Sequence, residues 1–293
     1  MRSADLNRRT VFLTGASGFL GRYLVTSLVS AGHRIFALSR SLREATENPG
    51  VCWVQGDLLS SELDPLLRDA DAVVHAAGVM GQTETAERSS VNLEGTCRLL
   101  EAAGRQGVRR FIHVSTCTAD SKSENSYARS KGLGEKAVTE SSCDWTVLRP
   151  TEIYGLGSRW FGHMAGALAG RRLVFVCRDL GEITPVHVAD VASVAVHSLS
   201  TPTAYSKIYT LAGPSMGLVE FYEGVRDAIG GRYRVVGLTQ RQIRFLIAVS
   251  KPLPGLNRRV RGLLATAEAR AVTLDSGSAT TDLGFNPRRF PGT

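Results

Sequence analysis

The chain has 293 residues, 43% of them hydrophobic, with a formal net charge of +8. That length buries a large core, as one α/β unit or one carrying a smaller lobe; no apolar run reaches the roughly 18–20 residues of a membrane span, and the N-terminus lacks the apolar core of a signal peptide. The cysteines at 52, 97, 117, 143 and 177 are scattered with no Cys-x-x-Cys pair, which excludes a zinc site or a disulfide frame and predicts reduced thiols in a cytoplasmic protein.

The first predicted strand, 10–14, leads into Gly15-Ala16-Ser17-Gly18-Phe19-Leu20-Gly21, which opens an apolar-periodic helix over 19–30. Such a turn lets backbone N–H groups and the helix N-terminus face a pyrophosphate, each glycine removing a side chain that would obstruct it. Gly15, Ser17, Gly18, Phe19, Leu20 and Gly21 are therefore the first cofactor-binding candidates. The second strand, 33–38, ends in Ser39-Arg40 with no carboxylate. An acidic residue there favours a free ribose 2′-hydroxyl and a basic one accommodates a 2′-phosphate, so Ser39 and Arg40 point to NADP(H) ahead of NAD(H). The third strand, 51–55, closes on Gly56-Asp57-Leu58, with Asp57 placed to hydrogen-bond an adenine amino group. After a short helix at 62–68, the fourth strand, 71–75, closes on Ala76-Ala77-Gly78, small residues that leave room for a dinucleotide.

A helix over 89–104 precedes the strand 109–115, whose end, Ser115-Thr116, brings two hydroxyls to the same sheet edge. The next helix, 126–141, capped by Asn125 or Ser126, carries Tyr127 and Lys131 on one face. A nearby ammonium favours phenolate and lowers a tyrosine pKa from about 10. Tyr127 is then suited to pass a proton to or from a hydroxyl while hydride moves. A strand at 144–148 and helices at 160–169 and 188–199 complete the alternation. Near-continuous apolar strands alternating with helices mean a parallel sheet covered on both faces, with ligands beyond its carboxyl ends.

Past 200 come a strand at 207–211, a helix at 218–229 and a strand at 233–236. A basic helical stretch over 239–270 follows, broken by Lys251-Pro252-Leu253-Pro254-Gly255. From 201 on, 13 Lys/Arg stand against 6 Asp/Glu, which concentrates the positive charge in this third. Arg241, Arg244, Lys251, Arg258, Arg259 and Arg261 among Ile243, Phe245, Leu246, Ile247, Leu263 and Leu264 suit a lid over substrate first. Contact of 241–264 with an anionic membrane surface or with another subunit comes second. His75, His113 and His187 read as hydrogen-bonded structural residues, and no metal or nucleic-acid motif is present. Trp160, Phe161 and Met164, beside His163, read either as substrate contacts or as the packed face of a helix.

Taken together, these motifs resemble the extended short-chain dehydrogenase/reductases, the NAD-dependent epimerase/dehydratase family. The resemblance runs through residues 14–21, Gly56-Asp57-Leu58, His75-Ala76-Ala77-Gly78, 91–96, Ser115-Thr116, 127–131, Leu148-Arg149-Pro150, Tyr154-Gly155, 186–192 and 282–287. It implies a Rossmann-type doubly wound α/β domain over 1–200, with a substrate-facing segment at 155–185, and a small α+β substrate lobe over 201–293. It also implies that Tyr127 is the acid/base, that Lys131 binds the nicotinamide ribose and tunes Tyr127, and that Thr116, ahead of Ser115, hydrogen-bonds the substrate oxygen. Asn92 would hold the helix behind the site, and the segment from Pro150 to Ile153 would lie along the nicotinamide. Members of this fold often dimerise across a two-fold axis, so a homodimer is an open expectation.

Three departures from the family pattern narrow the activity. Cys117 and Thr118 stand where 4,6-dehydratases resembling this chain carry an Asp-Glu pair. Glu182-Ile183-Thr184-Pro185 replaces the Arg-Asp of nucleotide-sugar epimerases, and ten residues separate Thr116 from Tyr127 where sugar-nucleotide members have roughly twice that. The resemblance then implies an oxidoreductase interconverting a secondary alcohol and a ketone on a small-molecule carbonyl substrate. A nucleotide-sugar epimerase is the alternative, and so is an NADPH-holding structural or regulatory protein like the complex I accessory subunit of this fold.

Overall fold

The computed structural model describes residues 8–42, 48–79, 90–179, 181–250, 255 and 274–291. The chain divides into two compact units, each built from three stretches: Met1–Thr151, Val188–Leu211 and Ser276–Asn286 in the first, Glu152–His187, Ala212–Asp275 and Pro287–Thr293 in the second. The expected boundary between 200 and 201 falls inside the first unit.

The first unit is the doubly wound parallel sheet that the alternation predicts. Its strands are β1 (Thr10–Thr14), β2 (Arg34–Ser39), β3 (Val51–Gln55), β4 (Ala72–His75), β5 (Arg110–Val114), β6 (Asp144–Pro150) and β7 (Lys207–Leu211). All pair in parallel, in the order β3-β2-β1-β4-β5-β6-β7. Strands covered on both faces are mostly apolar, and β4 and β5 are buried from end to end, with Arg110, His113 and His75 the polar exceptions. Phe12, Val73, Phe111 and Val147, from four adjacent strands, meet Leu99 and Val138 of the helices Gly95–Arg105 and Ser126–Thr139 in one core cluster. Each such side chain contributes about 1.5–3 kcal/mol by leaving water. The sheet order changes direction between β1 and β4, and the carboxyl ends of those strands carry the glycine turn and Ala76-Ala77-Gly78.

A helix at Gly277–Leu283, absent from the sequence reading, also belongs to this unit. It buries Ala279 and Leu283, and the carboxylate of Asp282 accepts from Lys207 Nζ and from the Tyr209 hydroxyl, both at 2.7 Å. The edge strand β7 is fixed from outside in this way.

The second unit holds the helices Arg159–Leu168, Leu218–Ala228 and Gln240–Val249 and a parallel strand pair, Leu173–Cys177 with Arg234–Leu238. Two-residue pairings join Ile153–Tyr154 to Val186–His187 and Glu182–Ile183 to Met216–Gly217. Its core gathers Phe221, Tyr233, Met216 and Ile243, and Trp160, Phe161 and Met164 pack against it, Trp160 stacking on Phe221 at 6.0 Å. These three thus lie on the packed face of their helix while remaining partly exposed. Of the expected basic stretch, Gln240–Val249 is helical; 251–254 and 256–273, with Arg258, Arg259, Arg261, Leu263 and Leu264, lie outside the described residues. Among the described residues no helix is long and apolar enough to cross a membrane, and no cluster of metal-ligating side chains is present.

Candidate active site

The glycine turn is shaped by what its residues lack. Gly15 has φ +73°, a conformation that disfavours any side chain, and a Cβ there would stand 2.7 Å from the backbone of Ala76 and Ala77. A Cβ on Gly21 would enter the backbone of Gly15 and Ala16. These two glycines therefore press the turn onto the end of β4 and onto its own helix. Gly18 is the N-cap of the helix Phe19–Ser30, with no capping side chain and no acidic residue in the first turn, so the positive end of the helix faces outward.

A cleft of about 220 Å³ runs from this turn to Val79 and Val91. It takes in Gly15, Ser17, Gly18, Ser39, Arg40, Asp57, Leu58, Ala76, Ala77 and Gly78, while Phe19, Leu20 and Gly21 form the helix start behind the turn. A cradle that a Cβ would fill, an uncapped helix N-terminus and an exposed guanidinium at Arg40 fit a dinucleotide. Two of the expected hydrogen-bonding groups are partly engaged. The Ser39 hydroxyl donates to Ser41 O at 2.7 Å, and Asp57 Oδ1 accepts from Leu59 N at 2.8 Å, bracing its own turn. Pro150 ends β6, and Ile153 lies on its short strand in the second unit.

Beyond β5, the structure brings Thr116 beside Tyr127, and Lys131 follows one turn later on the same helix. Asn125 caps the helix Ser126–Thr139, its side chain accepting from Ala128 N at 3.0 Å. Lys131, one turn after Tyr127, is 4% exposed and donates from Nζ to Val114 O at 2.8 Å. Its pKa is pushed down to about 8 by burial, against the opposing pull of Glu135. The Thr116 hydroxyl lies close enough to the Tyr127 phenol to act on its pKa, and its own hydrogen-bond partner is the Thr118 hydroxyl at 3.3 Å. The tyrosine pKa nevertheless lies above its ordinary value: burial raises it, the adjacent Cys117 adds to the rise, and Thr116 opposes it. The sequence reading expected a lowered phenol; desolvation outweighs that here. Ser115 is buried, and among the described residues its Oγ has no hydrogen-bond partner.

A polar scaffold behind the site was only partly legible. Asn92 sits in a π-helical turn, Ser90–Glu94, and is 1% exposed. Its Oδ1 accepts from Val79 N at 3.0 Å, and its Nδ2 donates to Val79 O at 3.2 Å and to Ser130 Oγ at 3.0 Å. It thus ties the exit of β4 to the helix that carries Tyr127 and Lys131. Thr96 Oγ1 donates to Asn92 O, so it accepts from His75 Nε2 at 2.9 Å; His75 Nδ1 then accepts from Thr14 Oγ1 at 2.7 Å. This assigns a neutral imidazole with its proton on Nε2, in keeping with a pKa pushed to about 3 by burial and by Lys131. His113, 5.2 Å from His75 between ring centres, departs from the expectation: among the described residues neither of its nitrogens has a partner.

Sequence reasoning missed Glu135 and Arg149. Both oxygens of the buried Glu135 carboxylate accept from the Arg149 guanidinium, Nε standing 3.0 Å from Oε2, which pins the helix to β6. It also missed Gly132 and Gly134, where a Cβ would enter the backbone of Ser121 and of Asn92. Two glycines inside a helix, each costing about 1 kcal/mol in propensity, were the signal of close packing.

Comparison with known proteins follows the same lines. The family model described as "NAD dependent epimerase/dehydratase family" matches residues 11–212. The chain is 28% identical over 300 residues to the mitochondrial NADH-ubiquinone oxidoreductase 40 kDa subunit of Neurospora crassa, covering 97% of this chain and 77% of that one. It is 31% identical over 258 residues to ceramide reductase of Caulobacter vibrioides, covering 85% and 75%. MoeE5 in complex with UDP-glucose and NAD superposes with a TM-score of 0.72 at 22% identity, over 96% of this chain and 94% of that one; at that identity the likeness is one of fold.

Proposed function

The chain belongs to the NAD-dependent epimerase/dehydratase family, and from that premise we propose that it is an NAD(P)-dependent oxidoreductase interconverting a secondary alcohol and a ketone. The observation that carries this reading is the nearness of Thr116 to the Tyr127 phenol, with the buried Lys131 one turn along the same helix. A structural site has no use for such a cluster. The nicotinamide, when bound, supplies or takes the hydride. Tyr127 Oη moves the proton at the substrate oxygen, and Thr116 Oγ1 holds that oxygen in place. Lys131, one turn along the same helix, keeps a positive charge at neutral pH and offers its remaining N–H donors to the ribose. Val114 O, Asn92 and the Glu135–Arg149 pair hold Lys131 and its helix in place.

Arg40, exposed beside the cleft, carries the preference for NADP(H); Ser39, turned into its own loop, contributes less than its sequence position suggests. Single-step reduction of an apolar ketone is favoured over epimerisation by the absent Arg-Asp ahead of Val186 and by the likeness to a ceramide reductase. None of the five cysteines forms a disulfide, and the reading carries a cytoplasmic location with them. The likeness to a complex I subunit supports a second reading, in which the dinucleotide is held and nothing is turned over.

One pair of measurements separates the readings: fluorescence titration with NADPH and NADH, then turnover on a panel of ketones. Tyr127→Phe should lower kcat/KM by about 10²–10⁴-fold and leave the cofactor Kd within about twofold. Undiminished turnover by that variant would refute the mechanism. Binding of cofactor by wild type with no turnover of any ketone would favour the second reading.

A further inference from the structure

The helix Gln240–Val249 has two apolar faces, and among the described residues only one of them is covered. Ile243 and Ile247 point into the core of the second unit. On the opposite side Phe245, Leu246 and Val249, spaced i, i+1 and i+4, are 66%, 36% and 54% exposed. The helix is firmly begun: Thr239 and Gln242 form a reciprocal capping box, and Gln240 N donates to Asp179 Oδ2 at 3.1 Å. An outward apolar stripe on a rigid helix has a cost in water that the fold does not relieve.

Apart from Asp179 at its N-terminus, the charge named beside it is positive. Arg241 and Arg244 flank the stripe and are exposed. From Ala228 to Ala267 the sequence holds eight Lys/Arg and no Asp or Glu. In the same unit, Leu173 and Phe175 are also exposed, beside the exposed Arg171, Arg172 and Arg234. A protein partner of mixed charge would not call for forty residues without a carboxylate. A nucleic acid would use the arginines and leave the aliphatic and phenyl surface unexplained. A bare apolar stripe edged by cations is complementary to one occupant, the interface of an anionic bilayer, where the apolar side chains sink below the headgroups and the guanidiniums meet phosphates.

We propose that the outward face of the helix Gln240–Val249 docks this protein on an anionic phospholipid surface, lying in the interface without crossing it. The inference is independent of the catalytic reading, since it uses none of its residues. The test is co-sedimentation of the full chain with phosphatidylglycerol-rich vesicles and with pure phosphatidylcholine vesicles, at low and high salt. The protein should partition to the anionic vesicles alone and be released by salt. Arg241→Gln with Arg244→Gln should weaken partitioning by about fivefold per arginine. Phe245→Ser with Val249→Ser should abolish it, with dinucleotide binding and thermal midpoint unchanged as the check on folding. Three results overturn the proposal: no binding to either vesicle, binding that survives loss of Phe245 and Val249, or a dimer in vesicle-free solution that the same double substitution dissociates.

Discussion

Burial takes the Lys131 ammonium out of water, and the single carbonyl it donates to does not replace a hydration shell. Its pKa in the fold, about 8, therefore lies below the ordinary lysine value of 10.5. Between those two values the unfolded chain binds the extra proton, so stability rises with pH across that window and the cost is fully present below it. Thermal melts should show wild type gaining on Lys131→Met from pH 8 to 10.5; parallel pH profiles would mean that Lys131 is not desolvated. Asn92 differs, because each of its polar atoms has a partner. Asn92→Leu leaves the half-buried Val79 backbone groups unpaired and takes a partner from the buried Ser130 hydroxyl, at about 1–3 kcal/mol, and frees the helix behind Tyr127. Chemical denaturation should register that loss, and a midpoint within error of wild type would refute the scaffold role. The types and spacing of Tyr127, Lys131 and Thr116 were readable in the sequence, as their chemistry requires. The raised pKa of Tyr127 was not, because desolvation depends on what packs around a group, and spacing carries no record of it.

The helix Ser126–Thr139 is positioned more by close approach than by its own propensity. Gly132 admits the backbone of Asp120 and Ser121, and Gly134 that of Asn92. Gly132→Ala improves intrinsic helicity by about 1 kcal/mol yet drives a methyl into backbone that has no side chain to move. The net effect should be destabilisation by about 1–3 kcal/mol, with turnover lost before the fold is; a variant as stable and active as wild type would show the contact to be soft. Elements of this unit were legible where burial imposes a period. The seven sheet strands read as apolar runs because helices cover both faces. The strand Leu173–Cys177, Leu-Val-Phe-Val-Cys, went unread although it is an equally apolar run. The helix Gly277–Leu283 escaped because Gly-Ser-Ala-Thr-Thr-Asp-Leu has little helical propensity; Leu283, Phe285 and the pairing of Asp282 hold it through tertiary contacts.

At the scale of the whole chain, each unit draws on three separate stretches, so the last residues matter to the first sheet. A chain ending at Asp275 loses the burial of Leu283 and Phe285, worth about 1.5–3 kcal/mol each, and the acceptor of Tyr209 and Lys207. Its melting midpoint should fall by about 10 °C or more. A midpoint within about 2 °C of the full chain would mean that β7 stands without its clamp. The late clamp also gives protein synthesis a direction that matters. Six strands have emerged once Pro150 is made, but β7 follows only at Leu211 and its clamp at Asp282. At about 5–20 residues per second the β6 edge stays open on the ribosome for roughly 3–12 s. Its Thr146-Val147-Leu148 backbone is meanwhile an unpaired template for any other nascent strand. The hazard for this fold thus lies in the pause before its sheet is closed, so slower growth temperatures and chaperone supply should govern soluble yield more than any property of the finished molecule.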